Sequence, residues 1–213
     1  MAAGDMTTGS EVTSIRSPRV KAARQLARRS ARQRARLFLA EGPQAVREAL
    51  DAGAVAEVFV TAAARSRYGE LVSRAAGHGS AVHAVSGEVM AELAQTITPQ
   101  GLLAVCRFVD VPIGQLTAAA PRLVVLLANV RDPGNAGTVL RTADAAGADG
   151  VVFSDASVDP YNSKCVRASA GSLFHLPIVA GSPLRQAAAA AVCLYASARA
   201  QRGSRAGTSV PAS

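Results

Sequence analysis

The most constraining feature of the sequence is a nearly continuous apolar run, LVVLLANV, at Leu123–Val130. A run of this kind is typical of a parallel strand that is buried on both faces of a sheet. It is followed by a turn at Asp132–Gly134, a helical pattern through Thr138–Ala146 and an apolar strand at Gly150–Phe153. Strand, helix and strand in this order predict a βαβ unit, and hence an α/β fold with Leu123–Val130 as a central strand.

The residues before this unit also alternate between strand and helix patterns. We predict strands at Leu37–Ala40, Val55–Thr61, Val82–Val85 and Gly101–Val109, and helices at Pro43–Leu50, at Tyr68–Ala76 and from Ser86 onwards. This alternation predicts a first α/β domain at residues 16–110, a proline-containing linker at 111–121 and a second domain at 122–198. Within the second domain we predict helices at Asn162–Ala170 and Leu184–Ala191 and a last strand at Val192–Ala198. Residues 1–15 and 199–213 are predicted to be disordered, because they lack an apolar period.

A strongly basic segment opens the first domain, with nine basic residues and no acidic one between Arg16 and Arg36. Ser17 is suited to cap a helix with Pro18 at its first position, which places Val20, Ala23, Leu26 and Ala27 on one apolar face. The helix is either a solvated basic surface or a phosphate-binding one. We favour phosphate binding, because so many like charges repel unless a polyanion neutralises them. The net charge of +8 for the whole chain also favours nucleic acid over a membrane as the partner.

The cysteines and the hydropathy of the sequence indicate in which cellular compartment the protein is found. Cys106, Cys165 and Cys193 are isolated, which fits a reducing cytosol, and no Cys/His cluster suggests a metal site. Residues 1–15 lack the apolar segment of a signal peptide, and no apolar run approaches the roughly 18 residues of a membrane span. We therefore predict a cytoplasmic protein without a bound metal.

The turn D-P-G-N-A-G after the apolar strand admits three interpretations. It is an ordinary strand-to-helix turn, or a site where backbone N–H groups and a helix N-terminus bind an anionic ligand. The third interpretation is a Rossmann-type nucleotide site, because Asp155 lies 21 residues beyond Gly134. Gly134 and Gly137 do not, however, make the G-x-G-x-x-G spacing that such a site requires.

Two longer strings indicate a family. N-V-R-D-P-G-N-A-G-T-V-L-R-T-A-D-A-A-G-A (Asn129–Ala148) resembles the first motif of the SpoU RNA 2′-O-ribose methyltransferases within the SPOUT superfamily. D-P-Y-N-S-K-C-V-R-A-S-A-G-S-L-F-H-L-P-I (Asp159–Ile178) resembles the second. The basic helix, F-L-A-E-G-P (Phe38–Pro43) and T-P-Q-G-L-L-A-V (Thr98–Val105) are similar to the family's substrate-binding domain. The resemblance implies an L30e-like N-terminal α/β domain followed by a SPOUT parallel-sheet methyltransferase domain of the trefoil-knot type.

This resemblance also implies a reaction and a set of site residues. The family transfers a methyl group from S-adenosylmethionine to a ribose 2′-hydroxyl, with Asn135 and Arg141 at the catalytic positions. Because a guanidinium stays protonated in proteins, we expect Arg141 to bind the adjacent phosphate and stabilise developing negative charge. The residues expected to contact RNA are Arg16, Arg19, Lys21, Arg24, Arg131, Lys164, Arg167 and Ser169. His175 is expected to be a satisfied core or loop histidine. A separate recognition domain favours ribosomal over transfer RNA, and family members pair as homodimers.

The family's third motif, a segment like L-V-L-G-N-E and then I-P-M…S-L-N, is absent from this sequence. That motif forms most of the methyl-donor pocket, so the second domain is expected to be incomplete and no residue is assigned to S-adenosylmethionine. Three interpretations follow: a truncated member of an active family, a catalytically inactive RNA-binding remnant, or a chain completed by a partner. A missing strand is also expected to leave a sheet edge exposed.

Overall fold

The computed structural model describes residues 11–189, which form two β-sheets with helices packed on them. In the first half the strands are β1 (Leu37–Glu41), β2 (Val55–Val60), β3 (Ala81–Ala84) and β4 (Leu102–Arg107), and the helices are α1 (Pro18–Gln25), α2 (Arg29–Ala35), α3 (Pro43–Asp51), α4 (Ala62–Arg67), α5 (Gly69–Gly77) and α6 (Gly87–Leu93). In the second half the elements are α7 (Ile113–Ala118), β5 (Val124–Leu127), α8 (Pro133–Ala145), β6 (Gly150–Ser154), α9 (Ser163–Ala168), a 3₁₀ turn (Ser172–Phe174) and β7 (Ile178–Ser182).

The first sheet is mixed, with strand order β1-β4-β2-β3. Strand β4 is antiparallel to both β1 and β2, whereas β2 and β3 are parallel. Both faces are covered, which explains why β4 is buried along nearly its whole length. Helices α3 and α5 pack on one face, and α1 and α6 pack on the other. The predicted strands of this domain are thus confirmed.

The second sheet is parallel, in the order β5-β6-β7. The predicted βαβ unit is confirmed, because β5, α8 and β6 follow one another and the two strands are direct neighbours. The expectation that Leu123–Val130 is the central strand is wrong for the part of the chain that the structure describes. The central and fully buried strand there is β6, whereas β5 pairs only with β6 and is half-buried along most of its length.

Three segments differ from the sequence-based expectation. The basic segment forms two helices instead of one, and Ala27 is exposed between them while Val20, Ala23 and Leu26 are buried. The 111–121 segment expected to be a linker contains helix α7, whose Leu116 packs against the second sheet. Within the start that was expected to be disordered, Val12 pairs with Val85 beside β3, so residues 11–15 are ordered by backbone hydrogen bonds.

Only part of the C-terminal segment lies within the described residues. Residues 184–189 are helical, in line with the predicted Leu184–Ala191 helix, whereas the predicted strand at Val192–Ala198 and the tail at 199–213 lie outside the described residues. None of the helices within residues 11–189 combines the length and the apolar character needed to cross a membrane.

The two halves of the chain share one hydrophobic core. Phe38 of β1 packs against Tyr161 with 4.8 Å between ring centroids, and Phe108 stacks on the same tyrosine at 3.7 Å. The Tyr161 hydroxyl donates to Asp110 (2.8 Å) and accepts from the backbone N–H of Val109 (2.9 Å), and burial raises the pKa of this phenol. The second half is therefore held against the first sheet by packed side chains.

Candidate active site and nucleic-acid interface

The candidate site begins where α8 follows the carboxyl end of β5. Asp132 is the N-cap residue of α8: its side chain accepts a hydrogen bond from the backbone N–H of Asn135 at 2.8 Å, and Pro133 occupies the first helical position. The same carboxylate accepts from Lys164 Nζ at 2.9 Å. The hydrogen bond from Lys164 and then that from Asn135 lower the pKa of Asp132. The D-P-G segment is thus the first turn of a helix, and it is joined to α9 by an ion pair.

The outward face of α8 carries both predicted catalytic residues. Asn135, Thr138, Arg141 and Thr142 are exposed, and we call these four residues the α8 stripe. The opposite face, with Ala136, Leu140 and Ala143, is buried. The two threonine hydroxyls donate to backbone carbonyls one turn earlier, so they are occupied within the helix. Within residues 11–189, the side chains of Asn135 and Arg141 form no hydrogen bond or ion pair.

Helix geometry sets the relation between these two side chains. Because α8 starts at Pro133, earlier than the predicted pattern, Arg141 is its ninth residue and projects from the third turn. Six residues at 3.6 per turn separate the directions of Asn135 and Arg141 by about 120° around the axis. Thr138 lies between them, so a ligand that touches both must lie along the stripe.

Gly137 has a packing role. A Cβ atom on this residue would lie 2.4 Å from the carbonyl oxygen of Cys165 and 2.6 Å from the Cβ of Ala168. Helices α8 and α9 therefore approach closely because this position has no side chain. This contact explains one of the glycines in the first motif without any ligand.

The second motif joins the two halves of the molecule. Asp159 is buried and accepts hydrogen bonds from Nε and Nη2 of Arg32 in α2, at 2.9 and 2.6 Å. Asn162 caps α9 by accepting from the backbone N–H of Lys164. His175 bridges Glu48 of α3 (2.9 Å) and Asp144 of α8 (2.8 Å), in agreement with a satisfied loop histidine. The pairing of Arg32 with Asp159 was not predicted from the sequence, because no sequence pattern links two residues that lie 127 positions apart.

The remaining predicted RNA contacts of the second motif fall into two groups. Lys164 is exposed and pairs with Asp132, and Arg167 is one-third exposed with its Nη1 3.7 Å from Glu41. That separation is beyond hydrogen-bonding distance, so Nη1 is buried and has no hydrogen-bond partner among residues 11–189. Ser169 is fully buried and its hydroxyl donates to the carbonyl of Val166. The expectation that Ser169 contacts RNA is therefore not met in this structure, since the residue has no exposed surface.

The basic residues of α1, together with Arg16 just before it, form a separate surface that we call the α1 surface. Arg16, Arg19, Lys21 and Arg24 are all exposed. Arg24 pairs with Glu92 of α6, and Arg19 Nη1 lies 3.3 Å from His83 Nδ1. Because α1 covers the face of the first sheet opposite to α3 and α5, the structure does not bring these residues into hydrogen-bond contact with the α8 stripe. Arg131, by contrast, immediately precedes α8 and its Nε donates to the side chain of Asn129 (3.3 Å).

The carboxyl ends of the strands in the second sheet are where binding of a methyl donor has to be considered. The Ser157 hydroxyl donates to the carbonyl of Leu127, and the Ser154 hydroxyl accepts from the backbone N–H of Asn129, so both serines hold the strand-to-helix loops together. Ser182 Oγ, at the end of β7, is buried without a hydrogen-bond partner in the described part of the chain. One such hydroxyl does not define a methyl-donor site, so we assign no residue of 11–189 to S-adenosylmethionine.

Comparison with known proteins places the chain in a family. Residues 17–104 match the MRM3-like substrate binding domain, and residues 122–202 match the SpoU rRNA Methylase family. The 23S rRNA (guanosine(2553)-2′-O)-methyltransferase RlmP of Bacillus subtilis is 35% identical over 170 residues, which are 79% of this chain and 64% of that protein. The mitochondrial rRNA methyltransferase 3 of Homo sapiens is 33% identical over 147 residues, 67% of this chain and 34% of that protein.

A solved structure gives the same result. The AdoMet-bound rRNA methyltransferase of Sinorhizobium meliloti superposes with a TM-score of 0.72 at 33% identity, covering 81% of this chain and 65% of that one. The chain thus spans less than two thirds of the length of these relatives. Two family profiles matched in order, together with this shared fold, show that the chain belongs to the SpoU rRNA methylase family.

Proposed function

We propose that this protein acts in the S-adenosylmethionine-dependent 2′-O-methylation of a ribose in ribosomal RNA, and that the described residues supply the RNA side of the reaction. The observation that carries the proposal is the α8 stripe, where Asn135 and Arg141 are exposed and have no hydrogen-bond or ion-pair partner within residues 11–189. The choice of ribosomal RNA rests on the relatives, whose names state this substrate.

The chemistry of the two side chains suits a ribose with its adjacent phosphate. A guanidinium offers a planar set of N–H donors and stays charged, so Arg141 would bind a phosphate oxygen and stabilise negative charge developing on the 2′-oxygen. The amide of Asn135 would hydrogen-bond the sugar hydroxyl and fix its orientation. We assign no general base, because the stripe holds no group that accepts a proton near neutral pH.

The supporting residues divide into anchors and RNA contacts. We propose that Arg131 and Arg167 contact the RNA backbone near the stripe, and that Lys164 holds α9 against the N-terminus of α8 while leaving part of its charge exposed. The α1 surface of Arg16, Arg19, Lys21 and Arg24 would bind phosphates farther along the RNA, because it lies on another face of the molecule. Such contacts add affinity without reading sequence.

S-adenosylmethionine, when bound, supplies an electrophilic methyl group. We assign none of residues 11–189 to it. The proposal that the reaction uses this donor rests on the family and on the AdoMet-bound relative.

Alkaline hydrolysis of the labelled product tests the proposal directly. The full chain is incubated with deproteinised ribosomal RNA and S-adenosylmethionine carrying a tritiated methyl group, and the RNA is then hydrolysed in alkali. A 2′-O-methyl group removes the nucleophile that cleaves the next phosphodiester bond, so we expect the label in alkali-resistant dinucleotides. Label in mononucleotides would indicate base methylation, and RNA binding without any label would support a protein that only binds RNA.

Two further predictions concern assembly and compartment. A homodimer is expected from the resemblance to the family, and sedimentation velocity on the full chain tests it. A cytoplasmic location likewise stays a prediction.

A further inference from the structure

Ile97 is an unusual surface residue in this structure. It is 100% exposed, whereas the other large exposed hydrophobic residues in the described part of the chain, Leu123 and Leu184, are 44% and 45% exposed. It lies in the loop between α6 and β4, in the sequence T-I-T-P-Q-G. A fully exposed side chain of this size gains little from burial among the described residues, so it is available to contact a partner.

The loop that carries Ile97 is held at both ends. On one side, the carboxylate of Glu41 accepts from the backbone N–H of Gln95 (3.2 Å) and from the hydroxyl of Thr96. On the other side, the carbonyl of Gly101 accepts from the backbone N–H of Thr61 (2.9 Å). Ile97 thus projects from a segment whose two ends are fixed by hydrogen bonds, and it is presented to solvent in a defined place.

The same loop adjoins the candidate active site. The side chain of Gln95 accepts a hydrogen bond from the hydroxyl of Ser163, the first residue of α9, at 2.6 Å. The next residue, Lys164, pairs with Asp132, which caps α8 through the N–H of Asn135. A continuous chain of contacts, each 3.0 Å or shorter, therefore leads from the Ile97 loop to the start of the α8 stripe.

Cationic side chains lie on the elements that adjoin the loop. Arg67 lines a shallow cavity together with Pro99 and Gly101, while Lys164 and Arg167 lie on the α9 side. Of the acidic residues near the loop, Glu41 interacts with Gln95, Thr96 and the nearby guanidinium of Arg167, and Glu92 of α6 pairs with Arg24. An exposed apolar side chain with cations on the neighbouring elements suits a nucleic acid, whose bases are apolar on their faces and whose backbone is anionic.

We propose that Ile97 inserts between two bases of the RNA substrate and unstacks them next to the ribose that faces the α8 stripe. The inference rests on the proposed function, since it takes RNA as the partner. The space between two stacked bases is a better binding partner for Ile97 than a protein surface is. A stable protein interface needs about 800 Å² from each partner, whereas one apolar side chain suffices as a wedge. Unstacked bases in single-stranded regions are also what RNA-binding proteins commonly recognise.

Substitution of Ile97 in the full chain tests the proposal, with deproteinised ribosomal RNA as the probe. Ile97→Ala is expected to weaken binding about tenfold in a filter assay, as for loss of one base contact, while Ile97→Leu retains most of the affinity. Because a wedge releases no counterions, the slope of log affinity against log salt is expected to stay unchanged in Ile97→Ala. Lys21→Ala, which removes a phosphate contact, is expected to reduce that slope by about one.

Chemical probing of the RNA gives the second measurement. With the unaltered chain, we expect bases at the bound site to become more reactive toward dimethyl sulfate, and we expect Ile97→Ala to abolish that increase. Leu123→Ala serves as the matched control, because it removes another exposed apolar side chain at the amino end of β5, and no change is expected. Folding is monitored by circular dichroism, and Ile97→Ala is expected to leave it unchanged.

Three results would contradict the proposed role of Ile97, and they can be told apart. If the unaltered chain binds and methylates RNA and Ile97→Ala does so equally well, the wedge is wrong and the proposed function stands. If Ile97→Ala abolishes self-association and leaves RNA affinity intact, the residue contacts protein and the wedge is again wrong. If the unaltered chain does not bind ribosomal RNA at all, the wedge and the proposed function both fail.

Discussion

At the scale of single residues, Gly137 shows how one position can be misread from sequence. A glycine after an apolar strand suggests a backbone that approaches a ligand, yet here the approach is between α8 and α9. The choice between these two roles depends on what lies 28 residues later, at Cys165, which no local pattern reveals. Asn135 and Arg141 were predicted as site residues because they belong to a string that resembles a family motif, and their catalytic role stays a prediction.

Replacement of Gly137 by alanine is predicted to destabilise the protein. The new Cβ would lie 2.4 Å from the Cys165 carbonyl oxygen, so the two helices must separate. Overpacking of this kind costs about 1–3 kcal/mol of unfolding free energy, which urea denaturation measures. Gly114→Ala in α7 is the matched control, because its Cβ meets nothing within 4 Å, and a small gain in stability is expected there. Equal stabilities for Gly137→Ala and the unaltered chain would contradict the packing role.

At the scale of elements, the sequence predicts which helices and strands are present better than it predicts where they begin and end. The helix pattern after β5 was recognised, but its start was placed too late, because Asp-Pro-Gly is as typical of a turn as of a capped first helical turn. Strand β7 was missed, because Ile178–Ser182 is short and contains glycine. Within residues 11–189, β5 lies at the edge of its sheet and not at the centre, because a run of apolar residues does not show which neighbours a strand has.

The His175 bridge between α3 and α8 is predicted to make stability depend on pH. Hydrogen bonds with Glu48 and then Asp144 raise the pKa of His175 above its ordinary value of 6.5. Burial is the largest single influence on Asp144 and opposes its ionisation, but the hydrogen bonds with His175 and Ser172 and the charge of His175 together outweigh it and lower the pKa of that carboxyl. Because the pKa of His175 is raised in the folded state, the bridge contributes fully below pH 6.5, and this contribution is lost as pH rises through the raised value.

Melting temperatures between pH 6 and pH 9 test this prediction. The unaltered chain is expected to lose more stability over this range than His175→Gln, which cannot become charged. His78→Gln is the control, because His78 is exposed and the described residues show no hydrogen bond to its side chain. Parallel pH profiles for the unaltered chain and His175→Gln would show that the bridge does not contribute.

At the scale of the whole molecule, two domains were predicted from the sequence. The extent of the contact between them was not predicted. The core continues from β1 through Phe38 and Tyr161 into the second half. Arg32 also donates from Nη1 to the carbonyls of Leu26 and Ala27, which closes the end of α1 and ties it to Asp159. Removal of residues 122–213 would expose this core, so such a deletion is a poor test of RNA binding by the first domain.

Breaking the Arg32–Asp159 pair is predicted to cause a large loss of stability. Both side chains are at most 4% exposed, so Arg32→Ala leaves a buried carboxylate without its partner. The expected loss is about 3–5 kcal/mol of unfolding free energy. Arg34→Ala, which removes an exposed arginine from the same helix, is expected to change stability by no more than about 0.5 kcal/mol. A similar effect of the two substitutions in urea denaturation would contradict the role of the buried pair.

The α8 stripe is proposed to face the ribose and its phosphate, and methyl transfer by Arg141→Lys tests this arrangement most directly. Lysine keeps the charge but loses the planar set of donors, so we expect the rate of transfer to ribosomal RNA to fall about a hundredfold while RNA affinity changes little. Arg122→Lys, at the opposite, amino end of β5, is the matched control and is expected to retain full activity. Full activity of Arg141→Lys in a competent protein would contradict the account.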